Sequence, residues 1–395
     1  MNIKSVLILG SGHLANRVKK LVAEKGFVVT HFPNVLSNLP DEHLSTINIT
    51  ERALRGTELE SFAMTYILYE KDEDNLEIVI AMMALHPDLP IVTSLFNENI
   101  RPHLEAANPK LRILNPARIA APLFVEALNY AISRKLQFPA RPRLTKPLKN
   151  RGDSFLKILL VSFTLLVFIA TAYFHFYEQW PWLDTFYLVI VTISTVGYED
   201  INLETTGAVN KIVAIMLILL SSIFIWLIFS LIIDRIIKRR VELSLGRKKY
   251  NYKNHIILCG LGRLGYFIAQ QLRDLGERIV IIESNQESAN IEHFRSRRID
   301  VYIGNARLPR VLQDAGAEHC RALISVINDD YTNLEIGLNA RYFQPNLRLI
   351  LRIFDESMAI VIKEKFDIHL TPSMSFIAAT KFASILDETA IKPEN

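Results

Sequence analysis

The sequence predicts a mixed fold, with two doubly wound α/β domains flanking an all-α membrane segment of two spans and a short re-entrant helix. Three observations carry this. Residues 158–177 and 212–233 are uncharged and each about long enough to cross a hydrocarbon core roughly 30 Å thick. A short apolar strand runs into a glycine turn twice, residues 6–9 into Gly10-Ser-Gly12 and residues 256–259 into Gly260-Leu-Gly262. Beyond those turns, Asn75-Leu-Glu-Ile78 matches Asn333-Leu-Glu-Ile336, and Leu89 and Phe96 match Leu347 and Phe354, all at one offset of 258 residues. A repeat that keeps its offset across a helix and the following strand points to duplicated architecture rather than shared propensity.

The N-terminal copy is expected over residues 1–137. Its apolar run at residues 6–9 is too short for a secretory leader and enters a turn instead of a cleavage site, so no leader is expected. Residues 138–154 follow as a stiff linker, where Pro139, Pro142 and Pro147 stand among basic residues that can also touch anionic lipid. The membrane segment is expected over 155–240. Between its two spans, residues 183–194 are apolar but about half the length needed to cross, which suits a re-entrant helix shielded by protein. Trp180 and Trp182 stand where an interfacial aromatic belt is expected.

Basic residues flank both spans on their outer ends, Arg141 to Lys157 before the first and Arg235 to Arg240 after the second. Both termini are therefore expected in the cytoplasm, with the chain in the plasma (inner) membrane. The intervening segment carries Glu178, Asp184, Glu199, Asp200 and Glu204 against Lys211 alone, which predicts an acidic, cation-attracting outer mouth. A second linker, 241–253, leads to the C-terminal copy at 254–395. No helix carries arginines at every third position, so no voltage sensor is expected.

Composition narrows the function classes. With 45 Lys+Arg against 41 Asp+Glu the formal charge is only +4, which argues against a nucleic-acid binder that relies on bulk positive charge. Half of the 395 residues are apolar and 22% are charged, a balance that fits part bilayer and part cytosol. Two cysteines, Cys259 and Cys320, both in apolar segments, exclude a disulfide-stapled secreted fold. The histidines show no metal-ligand spacing, no catalytic constellation stands out, and the chain is not expected to be an enzyme.

After the short helix comes Thr192-Ile-Ser-Thr195-Val196-Gly197-Tyr198-Glu199-Asp200. This run resembles the selectivity filter of potassium channels, Thr-x-x-Thr-x-Gly-Tyr-Gly-Asp, and the preceding Trp182-Leu-Asp184-Thr-Phe-Tyr187 resembles the family's pore helix. The resemblance implies four chains around one axis, a homotetramer. In it K+ would be coordinated by the backbone carbonyls of Thr195, Val196, Gly197 and Tyr198, which replace the ion's water. Glu199 departs from the pattern where the family has its second glycine. An L-residue held there at positive φ costs roughly 1–2 kcal/mol in each subunit, and a ring of four carboxylates either concentrates cations at the mouth or hydrogen-bonds behind the filter, with loosened selectivity or a non-conducting filter as further outcomes. Ser221-Ser222 stand near where relatives carry a hinge glycine.

The C-terminal copy reads Gly260-Leu-Gly262-Arg263-Leu264-Gly265, then a helix, then Arg278-Ile-Val-Ile-Ile-Glu283. Glycines let a phosphate approach a helix N-terminus, and an acid about 20 residues on can bind ribose hydroxyls. With Gly304-Asn305-Ala306 and residues 312–316, this stretch resembles the Rossmann-like RCK (TrkA-N type) domain that regulates potassium conductance. The resemblance implies an adenine nucleotide or NAD held at Gly260, Gly262, Arg263, Leu264, Gly265, Glu283 and Asn305, with Arg263 as a phosphate contact and Asn305 replacing a common aspartate. It also leads one to expect no calcium site, since Asn328 and Arg352 stand at strand ends where acids would be needed, and no extra C-terminal subdomain. The N-terminal copy has His31-Phe-Pro-Asn34 in place of the acid and is expected to be a packing partner without a ligand.

The expected function is thus a ligand-regulated potassium channel. Glu199 keeps open a non-selective or non-conducting sensor on a channel scaffold. A membrane-anchored NAD-dependent oxidoreductase is disfavoured because such an enzyme has no use for a filter.

Overall fold

A computed structural model describes residues 5–35, 46–129, 151–197, 207–366, 368–371 and 373–390. Tyr198, Glu199 and Asp200 of the expected filter, and residues 138–150 of the first expected linker, lie outside the described residues. The chain divides into two compact units, one formed by Met1–Ala140 with Leu245–Asn395 and the other by Arg141–Ser244.

In the first unit the N-terminal copy runs β1 (Ser5–Leu9), α1 (His13–Glu24), β2 (Val28–Phe32), α2 (Thr46–Ala53), β3 (Phe62–Ile67), α3 (Asp72–Leu85), β4 (Ile91–Ser94), α4 (Arg101–Ala107), β5 (Leu111–Leu114) and α5 (Pro116–Glu126). The second unit holds α6 (Arg151–Glu178), α7 (Trp182–Ile193) and α8 (Ala208–Ser244). The C-terminal copy follows as β6 (Ile256–Cys259), α9 (Arg263–Asp274), β7 (Ile279–Glu283), α10 (Asn290–Ser296), β8 (Asp300–Ile303), α11 (Pro309–Asp314), β9 (Ala322–Ser325), α12 (Asp330–Phe343), β10 (Arg348–Arg352), α13 (Glu356–Phe366), β11 (His369–Thr371) and α14 (Met374–Ala390).

Both sheets are parallel, in the orders β2-β1-β3-β4-β5 and β11-β10-β9-β6-β7-β8. Strands such as β6 and β7 are buried along their whole length, as expected of parallel strands covered by helices on both faces. The second order is that of dinucleotide-binding folds, with the crevice where β6 meets β9. In the first sheet the described residues contain no counterpart of β8, so that copy has no described equivalent of the Gly304-Asn305-Ala306 turn.

The repeat seen in the sequence is a repeat of hydrogen bonds. Asn75 Nδ2 donates to the Ser94 carbonyl at 2.9 Å while its Oδ1 accepts the Tyr69 N–H. At the same offset, Asn333 Nδ2 donates to the Arg352 carbonyl at 2.9 Å and its Oδ1 accepts the Ile327 N–H. Asp72 and Asp330 likewise accept the N–H groups of Phe96 and Phe354, each at 2.9 Å. Both asparagines are fully buried, where an unmet amide would be costly, so each ties two strand ends together.

The closing helices are exchanged between the copies. α5 packs on α9 of the C-terminal copy, with Ala117, Ala120, Ala121 and Phe124 in one core with Ile268, Ala269 and Leu272. α14 packs reciprocally on α1, with Ala378, Ala379 and Phe382 against Val18 and Val22. Tyr66 in β3 donates its hydroxyl to the Phe382 carbonyl at 2.9 Å, and Lys25 pairs with Asp387. The alanines allow close approach of the helices, and the exchange makes the two copies one unit.

In the second unit, α6 from Phe155 to Glu178 and α8 are both long and apolar enough to cross a membrane. Only 17% and 11% of their most apolar windows are buried within the chain, the reverse of a soluble core helix. α7 has 12 residues, about 18 Å of helix, too short to cross. It packs with both long helices through a core of Ala170, Phe174, Leu188, Val189, Ile193 and Leu217.

The segment expected as a second linker is divided. Residues 241–244 continue α8, because nothing in Val241-Glu-Leu-Ser244 breaks a helix. From Leu245 onward the chain is docked on the C-terminal copy: the Leu245 carbonyl accepts the Ile303 N–H at 2.8 Å, and the Tyr250 N–H donates to the Asp314 carbonyl at 2.7 Å.

Candidate functional site

The second unit brings Thr195, Val196 and Gly197 of the expected filter to the end of α7. Ser194 caps that helix, and the next backbone N–H groups still reach back into it, Thr195 to the Thr192 carbonyl at 3.2 Å and Val196 to the Val191 carbonyl at 3.3 Å. Thr195 has φ 61° and Gly197 φ 62°, with an exposed Val196 between them. For Thr195 this left-handed backbone costs roughly 1–2 kcal/mol, which places strain at the first expected ion-binding residue. Polar groups brace the surrounding helix ends. Asn210, fully buried at the start of α8, accepts the Tyr173 hydroxyl at 2.9 Å and donates to the Glu178 carboxylate. His175 stacks on Trp182 with ring centroids 4.1 Å apart, and its Nδ1 donates to the Trp180 carbonyl at 2.6 Å.

The first unit holds a crevice of about 550 Å3 at the C-terminal ends of β6, β7, β9 and β10. Gly260, Gly262, Arg263, Leu264, Glu283 and Asn305 line it, six of the seven expected nucleotide contacts. Gly260 turns the chain at φ 95°, and a Cβ on Gly265 would lie 2.0 Å from the Gly260 carbonyl oxygen, so the third glycine lets α9 start against the turn. No side chain caps the first N–H groups of α9, and the space above Gly262 is open for 4 Å. Uncapped helix N–H groups facing open space favour an anion.

Glu283 ends β7 at 9% exposure. One carboxylate oxygen accepts the Leu261 N–H at 2.6 Å and the other the Asn285 N–H at 2.7 Å, so backbone groups fix it at the crevice edge. Asn305 uses its Oδ1 to accept the Arg307 N–H at 3.0 Å, shaping the turn after β8. The Leu264 side chain is in the core, which leaves only its backbone for a ligand. Arg263 reaches across to the N-terminal copy. Its guanidinium lies 4.1 Å above the Phe96 ring and Nη1 donates to the Glu70 carbonyl at 2.9 Å.

Equivalent positions in the N-terminal copy are used differently. His31 stands at the end of β2, with Nε2 2.8 Å from the Gly10 carbonyl. The Glu70 carboxylate crowds the turn so closely that a Cβ on Gly12 would be 2.6 Å from its Oε1. A negative charge in that place opposes a phosphate. The ring of His13, the counterpart of Arg263, lies tilted against that of Phe354 with centroids 5.4 Å apart, mirroring the contact of Arg263 with Phe96.

Among the crevice residues not singled out in the sequence as ligand contacts, Phe96 and Arg352 matter most. Phe96 is a wall supplied by the other copy, and Arg352 is a charge in an otherwise apolar strand end. Burial pushes the Arg352 guanidinium down to about 10, against the opposing charge of Asp330, so it stays cationic at neutral pH. It lies 4.1 Å from the Phe354 ring, a contact worth about 1–2 kcal/mol. That is less than the several kcal/mol cost of burying an unpaired charge. Among the described residues no cluster of three His, Cys, Asp or Glu side chains could hold a metal ion, and both cysteine thiols are buried with their pKa pushed up by desolvation.

Residues 256–371 match the TrkA-N domain family, and residues 161–238 match the ion channel family. Potassium channel protein 1 of Methanocaldococcus jannaschii is 28% identical over 198 residues, 49% of this chain and 59% of that protein. The voltage-gated potassium channel Kch of Escherichia coli is 27% identical over 231 residues, 54% of each. This chain spans between 27% and 61% of the length of the first curated relatives it matches. Among solved structures, GsuK bound to ADP superposes with a TM-score of 0.54 at 12% identity, covering 98% of this chain and 69% of that one, a likeness of fold.

Proposed function

We propose that the chain is a subunit of a homotetrameric potassium channel in the plasma (inner) membrane, with both termini cytoplasmic and passive K+ conduction regulated by an adenine nucleotide or NAD at the C-terminal copy. The observation that carries this reading is the run Thr195-Val196-Gly197-Tyr198 directly after a 12-residue apolar helix that packs between two helices of membrane-spanning length. Two spans and one half-length helix cannot enclose a pore alone, so the reading requires several chains, and the resemblance makes that number four. α7 then serves as the re-entrant pore helix, and the backbone carbonyls of residues 195–198 coordinate K+.

Regulation is assigned to the first unit because its crevice joins an uncapped helix start, a fixed carboxylate and the guanidinium groups of Arg263, Arg307 and Arg352. The likeness to a GsuK structure that holds ADP supports the same reading. Among the described residues no acid–base or nucleophilic constellation accompanies the crevice, so the reading is of a regulatory site.

The test is flux through the purified protein reconstituted in liposomes. Potassium is expected to pass in clear preference to sodium, with a rate that changes on adding ADP. Equal passage of the two ions would replace the selective channel by a non-selective pore, the outcome that Glu199 would explain, and no flux of either ion under any nucleotide would leave a non-conducting sensor.

A further inference from the structure

Arg352 ends β10 with 7% of its surface exposed, and its Nε has no hydrogen-bond partner among the described residues. Among those residues it forms no ion pair. Asp330, the acid whose charge it feels, is engaged by the backbone, accepting the N–H groups of Phe354 and Asp355. The fold does not require an arginine at this place. At the repeat-related position the N-terminal copy has Ser94, and the backbone carbonyls of Ser94 and Arg352 receive the same bond from Asn75 and Asn333. A buried cation with an unmet donor that its own repeat does without points to a partner from outside the chain.

Where that partner lies follows from the cavities. The crevice of about 550 Å3 adjoins a second cavity of about 670 Å3 at the seam between the copies, and Arg352, Arg263, Phe96, Asn328 and Met374 line both. β7, β6, β9 and β10 are successive neighbours, so Glu283 and Arg352 end strands three steps apart, about 14 Å. An extended nucleotide with its ribose at Glu283 would run across the glycine turn with its phosphates toward β10.

We propose that Arg352 binds the distal phosphate of the nucleotide at the seam between the two copies, an assignment that rests on the adenine-nucleotide reading above. Arg263 is the second cation there, and its present partners are Phe96 and the Glu70 carbonyl of the N-terminal copy. A phosphate at the seam competes for Arg263 against those contacts. The copy without a ligand acid of its own therefore forms a wall of its neighbour's site, and ligand binding alters the contact between copies.

The experiment is calorimetry of adenosine, AMP and ADP on the full-length protein in detergent, unmodified and as Arg352→Met. ADP affinity is expected to fall roughly tenfold to a hundredfold, the loss of one charge-assisted hydrogen bond, while adenosine affinity stays within about twofold. The ligand-free melting temperature of the variant should not fall, because an unpaired buried charge has been removed. Arg352→Lys should recover part of the ADP affinity. Unchanged ADP affinity overturns the assignment while leaving the crevice reading standing, and so does a lower melting temperature with equal losses for adenosine and ADP, which marks a structural arginine. No ADP binding by the unmodified protein overturns the crevice reading and this assignment together.

Discussion

Glu283 and His255 show how far a side chain's role depends on what folding puts beside it. Glu283 was legible as the acid after the second strand, but of its two backbone bonds the one from Leu261 comes from a turn 22 residues away and is visible only in three dimensions, while the other comes from Asn285 beside it. His255 carried no sequence signal. It is fully buried, and its Nε2 lies 2.9 Å from the Ala315 carbonyl. Burial lowers its pKa first of all, with the charges of Arg278 and His319 acting in the same direction and the Ala315 bond opposing. A folded pKa below the unfolded value near 6.5 means that the unfolded chain binds more protons below that pH. Stability contributed by neutral His255 is thus complete above about pH 6.5 and declines as pH falls below it. Thermal melts between pH 7.5 and 5.5 should show that decline, and His255→Gln should flatten it. An equal decline in the variant would assign the pH dependence to other groups.

The exchange of α5 and α14 gives each copy a core completed by the other's last helix. Phe382 is fully buried among residues of the N-terminal copy although it lies near the C-terminal end of the chain. Phe382→Ala is expected to cost about 3–5 kcal/mol, as for other buried phenylalanines. The loss should appear first in β1 and α1, whose core it opens, and hydrogen exchange on those amides is the measurement. Faster exchange confined to β10 and α12 would show the helix serving its own copy instead. The sequence disclosed that the closing helices correspond, through Leu114-Asn-Pro116 and Leu370-Thr-Pro372, but not that they change places. Helix periodicity reports which face is apolar and not which surface covers it.

Between the two units the chain passes directly from α8 into a docked segment. Lys248 pairs with Asp300 at 3.0 Å, Tyr250 is 4% exposed, and a Cβ on Gly246 would meet the Val301 carbonyl oxygen at 2.1 Å. Residues from Leu245 onward are thus held by the C-terminal copy itself, and a short connection transmits displacement that a long flexible one absorbs. On the proposed function, a ligand biases the pore by its differential affinity for two arrangements, typically about 1–3 kcal/mol per coupled site. A Gly/Ser insert between Ser244 and Leu245 should leave conduction and ADP affinity intact and weaken the effect of ADP on open probability in single-channel recordings. A full response with the insert would move the coupling to residues 130–150 or to the filter.

Periodicity, glycine turns and the 258-residue repeat were enough to obtain two parallel α/β copies, two long apolar helices and a half-length helix between them. Each depends on local chemistry or on charge that a bilayer does not tolerate. The glycine motif and Glu283 were legible for the same reason, since a turn, a helix start and the next strand are neighbours in the chain. Only the tertiary structure revealed the exchanged helices, the docking of residues from 245 onward, Phe96 as a wall of its neighbour's crevice and Arg352 as an unpaired buried cation. Those features join residues distant in the chain, from Leu245 with Ile303 to Tyr66 with Phe382. They depend on which surfaces meet and which charges lose their water, and no local pattern records either.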